Sequence, residues 1–526
     1  VTTRIITSGA YVGGELEAEF GRIPPAFLPV GGSLLLYRQI ERLAAPGVDL
    51  ILSLPDDFEL TSIELERIAA ARVRIVRLDP RLSLGRSIAC VLAAIEKTGP
   101  VEIVHGDTLI APPEPDAADA MTVGEVSDGY HWAVVRVEDD RITEVKQGAL
   151  DREPACAPAI LTGFFRFSSP QALLRALIQS GDDFARALDL YASRHPVAAI
   201  PNGSWLDFGH LQTYFRSRHH LAAARHFNAL RIEAGVVHKS SDNAFKIDAE
   251  AAWLRSVPPA IQLHCARLIE PRDRIPDGSY STEYSYLPTV AELYLSRLGI
   301  PGWNRILDAI GDYLTQATRS TGAPGNALAA LAVEKTRQRI AAAPHAYPWL
   351  DRALRVNGRD CPTGHAVLDR CFAIIEGAPP RASTVMHGDL CFSNILYNSR
   401  NQRILLIDPR GYVHDGVASI EGDLRYDVAK LAHSVIGRYD QIIAGEYSLR
   451  EDGEALELAF PEDATKRWLE TAFAARSIDG LAFADPVVLA TMVTLFVSMI
   501  PLHSDDPVRQ KALYVNAMRL FSEHVE

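Results

Sequence analysis

Through roughly the first 230 residues, short apolar runs alternate with stretches whose apolar positions recur at helical spacing. RIITSGA near the start, DLILSLP at 49–55, VRIVRL and VEIVHGD read as buried strands. SIELERIAAARV sets Ile63, Leu65, Ile68 and Ala69 on one helical face. Strands alternating with helices predict an α/β domain with a mostly parallel, wound sheet. From VSDGYHWAVVRVEDDRITEVKQG onward the pattern becomes strand–turn–strand, which predicts an antiparallel edge or insertion. SWLDFGHLQTYFRSRHHLAAARHF then predicts a long helix from near 210 that closes the domain. A second unit begins near 228, where two or three strands run into one helix that stops at Pro258. Residues 290–380 and 415–526 read as mainly helical. Lys246 reads as part of a strand-like run. The Gly/Pro-rich stretches at 112–115, 271–278 and 377–380 read as loops. The expected domains are therefore 1–227 and 228–526.

Composition narrows the partners. A chain of 526 residues with 48% hydrophobic and 23% charged residues suits a globular protein of two to four domains. Its net charge of −13, with no dense basic run, argues against nucleic-acid or anionic-membrane surfaces. Cys90, Cys156, Cys265, Cys361, Cys371 and Cys391 are scattered without CxxC spacing, which favours reduced thiols over a zinc site or disulfides. VTTRIITSGAYVGG lacks the pattern of a signal peptide, and VVLATMVTLFVSMI at 487–500 is too short to span a bilayer. That run reads as a buried helix ending at Pro501. The expectation is a cytoplasmic protein acting on small molecules, without nucleic acid or membrane insertion, and with a homo-oligomer left open.

The sharpest chemistry lies in VMHGDLCFSNILYNSRNQRILLIDPRG at 385–411. Two short strands there deliver Asp389, Asn394 and Asp408 toward one point. Phosphoryl transfer needs a carboxylate at the acceptor, oxygen ligands for magnesium and a cation on the nucleotide phosphates. Asp389 is the candidate base, with Asn394 and Asp408 as metal ligands. Lys239, steered by Glu250 on the following helix, is the candidate cation, and Lys246 is the runner-up. KSSDNA offers further hydroxyl and backbone donors. His387 is read as a packing residue.

HGDLCFSNIL…LLIDPRG resembles the catalytic core of the aminoglycoside phosphotransferase and choline kinase superfamily, over about 228–526. The resemblance implies an α+β two-lobed kinase-like domain, with an N-lobe at about 228–290 and a mainly helical C-lobe at about 291–526. It implies ATP as substrate, a nucleotide hinge at YSTEYSYLPT near Glu283 and Tyr284, Asp389 as base, and magnesium on Asn394 and Asp408. Asp427 in GDLRYDVAKL would brace the loop.

Three ordered fragments in the first domain form another set: GRIPPAFLPVGGSLLLYRQIERL (21–43), LGRSIACVLAAI…VEIVHGDTLI (84–110) and GSWLDFGHLQTYF (203–215). They resemble the sugar-phosphate nucleotidyltransferases, which implies a Rossmann-like sheet and a second Mg²⁺ held by Asp107 and Asp207. By the same resemblance Lys146 in ITEVKQG contacts a phosphate, and Gly163 in LTGFFRF allows close substrate approach. The loop TSGAYVGGELEAEFG offers Ser8, Gly9, Gly13 and Gly14 for backbone contacts to phosphate. The chain departs from that family where a lysine is expected before FLPVGG; Ala26 stands there, with Arg22 as the nearby substitute.

Together these readings predict a bifunctional enzyme. A kinase would phosphorylate a small polar alcohol or sugar with ATP. A nucleotidyltransferase would then couple the phosphomonoester to a second NTP, releasing pyrophosphate and giving an activated donor for surface-glycan or headgroup synthesis. One rival keeps only the kinase active, with the first domain as a nucleotide- or sugar-nucleotide-binding module. A second has a live nucleotidyltransferase governed by an inactive kinase-like lobe, and a third is an assembly scaffold. A choline-type acceptor would want an aromatic cage, for which Tyr284, Tyr286, Trp303 and Trp349 are candidates. PLHSDD at 501–506 offers His503 and Asp505 to an acceptor pocket.

Overall fold

The computed structural model describes residues 2–95, 99–114, 117–125, 132–148, 159–222, 229–269 and 278–526. Cys156, most of the 271–278 loop, residue 115 and the expected 227/228 boundary lie outside the described residues. The chain divides into two compact units, Val1–Arg218 and His219–Glu526.

The first unit is built on a nine-stranded sheet. Its strands are β1 (Thr2–Thr7), β2 (Val48–Pro55), β3 (Arg74–Leu78), β4 (Val101–His105), β6 (Ala120–Glu125), β7 (Ala133–Glu138), β8 (Arg141–Gln147), β9 (Ala159–Phe167) and β10 (Ala198–Pro201). They are arranged 3-2-1-4-9-6-10-8-7. Strands β1 to β4 are mutually parallel, β9 runs antiparallel to β4 and β6, and β7–β8 form the antiparallel hairpin. Asp139 and Asp140 take the left-handed conformation that its tight turn demands. Ile5, Ile51, Ile103, Met121 and Phe165 form part of the core under helices Leu84–Ile95, Pro170–Ser180 and Phe184–Ala192. Helix Ser62–Ala70 opens with a Thr61/Glu64 capping box, which satisfies two of its otherwise unpaired N–H groups. A buried charge network, Arg4–Glu102–Arg166, crosses the β1, β4 and β9 strands.

Beyond the C-terminal end of β4, β5 (Thr108–Leu109) pairs antiparallel with β11 (Leu206–Asp207), putting Asp207 opposite Thr108. The Phe208 amide donates to the Asp107 carbonyl at 2.8 Å. This small ribbon brings two acids 100 residues apart in sequence to the end of the parallel strands, where such sheets bind ligands.

The second unit opens with a four-stranded antiparallel sheet, β12 (Ala229–Glu233), β13 (Val236–Ser240), β14 (Leu268–Ile269) and β15 (Ser279–Glu283), in the order 12-13-15-14. Asn243 caps the helix Ala244–Ser256, which stops just before Pro258 because proline's missing N–H cannot continue the ladder. Lys246 belongs to this helix and not to a strand, since the Asn243 cap starts helical hydrogen bonding directly at its amide. The remainder carries long helices, including Ile300–Ala317, Gly364–Glu376, Leu424–Val435, Pro486–Ser498 and Pro507–His524. It is less uniformly helical than its sequence suggests. Strands Leu354–Val356, Arg359–Cys361, Ser448–Asp452 and Ala455–Ala459 form one sheet. The first hairpin turns at Asn357–Gly358, both left-handed, an Asn-Gly signal the helical reading overlooked. Pro486–Ser498 is buried around its circumference, as an apolar core helix must be. No helix among the described residues is long and apolar enough to cross a membrane. Cys90, Cys265, Cys361, Cys371 and Cys391 are free thiols.

Candidate functional site

In the second unit, Lys239 on β13 is buried, and its ammonium donates to Glu250 on Ala244–Ser256 and, at 3.0 Å, to Asp408 Oδ1. Tyr280 on β15 donates to the same Glu250 carboxylate at 3.0 Å. Burial alone would pull the lysine toward neutrality; Asp408 and Glu250 outweigh it and hold the ammonium charged.

Asp389 follows the short strand Ser383–Val385 and meets Lys430, on the Leu424–Val435 helix, at 2.8 Å. Burial would raise the Asp389 carboxyl, yet Lys430 overrides it and keeps the group below the usual carboxylate range. Asn394 Nδ2 donates to the Asp389 carbonyl (2.9 Å) and to Oδ2 (3.1 Å). The loop is held from behind. Asp427 accepts from the amides of His387 (2.7 Å) and Gly388 (2.8 Å). Burial pushes Asp427 up to about 7, against those two amides. His387 is fully buried and pushed down to about 4, so its neutral ring donates from Nε2 to the Ile407 carbonyl at 3.0 Å and accepts the Asp389 amide at Nδ1. Asp408 adopts φ +57°, a conformation aspartate tolerates better than most residues.

Lys239, Glu250, Asp389, Asn394 and Asp408 all line one cavity of about 560 Å³. With Nδ2 of Asn394 spent on Asp389 and Oδ1 of Asp408 on Lys239, Asn394 Oδ1 and Asp408 Oδ2 have no hydrogen-bond partner among the described residues. Two hard oxygens facing one cavity fit a magnesium ion. Lys246 and His503 also line it. Glu283 and Tyr284 do not: their amides are spent on the Arg267 and Gly235 carbonyls at the end of β15. The proposed aromatic cage does not assemble either. Tyr284 packs edge-on to Tyr286, Trp303 stacks on Phe392 and Trp349 on Tyr514, all outside the cavity lining. Asp505 is taken by Arg509 at 3.1 Å. Lys430, Lys335, Arg339 and Arg410 line the cavity without having been singled out from sequence. Lys430 stands three residues after Asp427, one helical turn away on the same face, which is the signal that could have found it.

In the first unit, Asp107 and Asp207 line a cavity of about 460 Å³ with Gly163, His105, Trp132 and Trp205. A Cβ at Gly209 would lie 2.5 Å from Asp107 Oδ2 and 3.4 Å from Asp207 Oδ1, so a side chain there would have to displace the Asp107 carboxylate. Gly163, at φ +93°, would bring a Cβ within 2.9 Å of Thr108 Oγ1; its absence keeps the cavity wall open. Burial, then the neighbouring Asp207 charge, pushes Asp107 up to about 7. Asp207 Oδ2 is buried without a hydrogen bond, with His210 Nδ1 at 3.9 Å. Two acids that cannot comfortably both ionise fit a divalent cation, which would let them. Among the described residues no cluster of three or more metal-binding side chains occurs, so such an ion would rest on these two carboxylates.

The phosphate-binding candidates fare differently. Gly9 lines an adjoining cavity of about 170 Å³ that also reaches Asp107. Ser8 is buried, with its hydroxyl accepting the Ala26 amide and its own amide donating to Ser53, so it ties the loop down and is in neither cavity lining. Gly13 and Gly14 start the short helix Gly14–Phe20 in the open. Ala26 is fully buried. Arg22 is drawn away by Asp57 (2.9 Å) and stacks on Tyr11. Lys146 pairs with Glu144 at 2.9 Å, and Gln147, its neighbour on the opposite face of β8, lines the cavity in its place. The Trp132–Trp205 pair, 5.5 Å apart and edge-to-face, is a wall that sequence reading missed. Trp205 stands two residues before Asp207 in the GSWLDFG segment, which is the signal that could have found it.

No family model and no curated protein matches the sequence. Solved structures match the N-terminal part, about 42% of the chain. The nucleoside-diphosphate-sugar pyrophosphorylase from Vibrio cholerae is 11% identical, with 41% of this chain and 99% of that chain covered and a TM-score of 0.34. CTP:phosphocholine cytidylyltransferase from Streptococcus pneumoniae is 16% identical, covering 42% and 98%, with a TM-score of 0.34. The inositol-1-phosphate CTP transferase from T. maritima is 17% identical, covering 40% and 90%, again with a TM-score of 0.34.

Proposed function

We propose that the chain is a bifunctional transferase. Its second unit moves the γ-phosphoryl group of ATP to a small polar alcohol, and its first unit couples the resulting phosphomonoester to a second NTP with release of pyrophosphate. The observation that carries this reading is the convergence of Lys239, Glu250, Asp408, Asn394 and Asp389 on one cavity. In it, Lys239 is held charged by Glu250 to meet nucleotide phosphates. Asp389, fixed by Asn394 and Lys430, orients the acceptor hydroxyl and takes its proton as the oxygen bonds to the γ-phosphorus. The bond from γ-phosphorus to the β,γ-bridging oxygen breaks and ADP leaves. Asp427 and His387 keep the loop in place. Magnesium, when bound by Asp408 with Asn394 and by Asp107 with Asp207, supplies positive charge to the phosphate oxygens. In the first unit, Gly163 and Gly209 leave room for substrate beside the two acids, and the Trp132–Trp205 wall encloses it.

One observation favours a second reading, in which the first unit only binds a nucleotide or sugar nucleotide. Among the described residues no lysine or arginine lines either of its cavities near Asp107. A phosphorus NMR time course separates the two. Protein, Mg²⁺, ATP, the other NTPs and a pool of alcohols, hydroxy acids and sugars should yield a phosphomonoester that converts to a diphosphate diester. Asp107→Asn and Asp207→Asn should stop only the second conversion, and Asp389→Asn the first. A phosphomonoester that accumulates unchanged in the wild type supports the binding-module reading, and no phosphomonoester from any acceptor rejects both.

A further inference from the structure

The phosphotransferase cavity has a wall that the reaction as described does not use. Lys335 and Arg339 stand one turn apart on the helix Lys335–Ala342, immediately after the π turn Ala330–Glu334. That helix packs on the buried Pro486–Ser498 helix, and Arg339 donates to the Ser498 carbonyl (3.0 Å) and hydroxyl (3.2 Å). Arg410 lies over the Tyr412 ring and donates to the Tyr412 carbonyl at 3.0 Å. All three cations line the cavity together with Asp389. Among the described residues none of them has a carboxylate partner at ion-pair distance, and Lys335 Nζ has no hydrogen-bond partner.

Such crowding works against the fold. Like charges at i and i+4 repel, and burial, with Arg410, Arg339 and Lys430 adding to it, holds the Lys335 ammonium well below its ordinary value. His433 and His503 on the same wall are kept neutral by burial and add no further positive charge. The group also differs from the nucleotide cation in its pairing: Lys239 is held by Glu250 and Asp408, whereas Lys335, Arg339 and Arg410 have no such ion pair among the described residues.

We propose that the acceptor alcohol carries an oxyanion, a carboxylate or a phosphate, which Lys335, Arg339 and Arg410 hold while its hydroxyl is presented to Asp389. This rests on the phosphotransferase reading and narrows its substrate. Arginine is suited to paired hydrogen bonds with an oxyanion, and lysine adds a point charge. Amino alcohols and aminoglycosides are repelled from the same wall. The oxyanion is not consumed: only the hydroxyl oxygen gains a bond to phosphorus, ADP departs and the hydroxyl proton passes to Asp389.

The test uses one carbon skeleton with four charges. Full-length protein with Mg²⁺-ATP is offered glycerate, glycerol phosphate, glycerol and an amino-substituted glycerol, and ADP release is followed. One of the two anionic acceptors should exceed the neutral and cationic ones by about 100-fold in kcat/KM, and which one it is identifies carboxylate or phosphate. Lys335→Met should raise the KM for that acceptor about 10- to 100-fold and leave the KM for ATP unchanged. Its melting temperature should not fall, because Lys335 has no partner to lose. A neutral or cationic acceptor turned over best, or an unchanged acceptor KM in Lys335→Met, overturns the inference and leaves the kinase standing. If no acceptor is turned over, the kinase reading has failed, and calorimetric titration of glycerate and glycerol phosphate decides the anion site alone. Binding lost in Lys335→Met sustains it, and binding that is absent, or equal in the variant, overturns it.

Discussion

Replacing Asp207 by Asn removes one negative charge beside Asp107 and keeps the side chain's shape. Both carboxylates crowd the Gly209 position, so their oxygens lie within about 6 Å of each other. At an effective dielectric constant of about 20 that separation gives a repulsion of about 3 kcal/mol, or roughly two pKa units, and partial exposure of Asp107 trims it to about 1–3 kcal/mol. Asp107 is raised to about 7 by burial and by Asp207. A carboxyl raised on folding binds its proton more tightly in the folded state. Its contribution is therefore fully present below the unfolded value near 4 and is lost as pH rises through about 7.

Thermal melts in EDTA at several pH values between about 5 and 7.5 read this out. Asp427 and Asp440 are also raised to about 7 by burial, and His105 and His387 are pushed down to about 4. Asp427, Asp440 and His387 titrate alike in wild type and variant, and His105, which loses the raising charge of Asp207, moves further below the window, so the difference between the two isolates the acid pair. The wild type should lose about 2 kcal/mol more than Asp207→Asn across that window, about 4–8 °C for a unit of this size. Mg²⁺ should restore the wild type at the upper end of the window and do little for the variant. Parallel melting curves for the two proteins, with no response to Mg²⁺, would refute the argument that the acids repel each other and share an ion.

Three further outcomes are expected. Asp389→Asn should cut phosphoryl transfer about 10³-fold, measured by ADP release, with an unchanged far-ultraviolet circular dichroism spectrum. Lys239→Met should weaken ATP binding and also cost about 3–5 kcal/mol of stability in urea titration, because it strands Glu250 beside a buried tyrosine. Glu102→Gln, which is in neither cavity lining, should cost a similar 3–5 kcal/mol in the first unit by leaving Arg4 and Arg166 without their carboxylate, and should leave phosphoryl transfer intact.

Local pattern made the elements readable wherever a short stretch decides its own structure. DLILSLP became β2, the Ser62–Ala70 helix forms and buries Ile63 and Ile68 while Leu65 and Ala69 of the expected face are exposed, and Pro258 ends the helix that Asn243 starts. Asp389 and Asn394 could be paired from sequence because five residues and one tight loop separate them. The misses have a shared cause. Lys246 looks strand-like until the Asn243 cap is recognised, and the Asn357–Gly358 hairpin hides among helices whose apolar periodicity dominates the region. Lys146 and Gln147 are adjacent in sequence but on opposite faces of β8, and nothing in ITEVKQG says which face meets the cavity.

The same limit governs charge. A lysine in a helical stretch such as AVEKTRQRI has the sequence signature of a solvated face, and most such residues are one. What turns Lys335 and Arg339 inward is the packing of their helix on Pro486–Ser498, contributed by residues some 150 positions later. Lys430 acquires its meaning only once Asp389 is placed 2.8 Å from it, and the Arg22 pairing with Asp57 is likewise set by tertiary contact. A catalytic base can be announced by a local motif, because one loop must hold it. The charge of the substrate is written instead in which cations the tertiary fold leaves without an acid, and that can be read only after every other pairing is known.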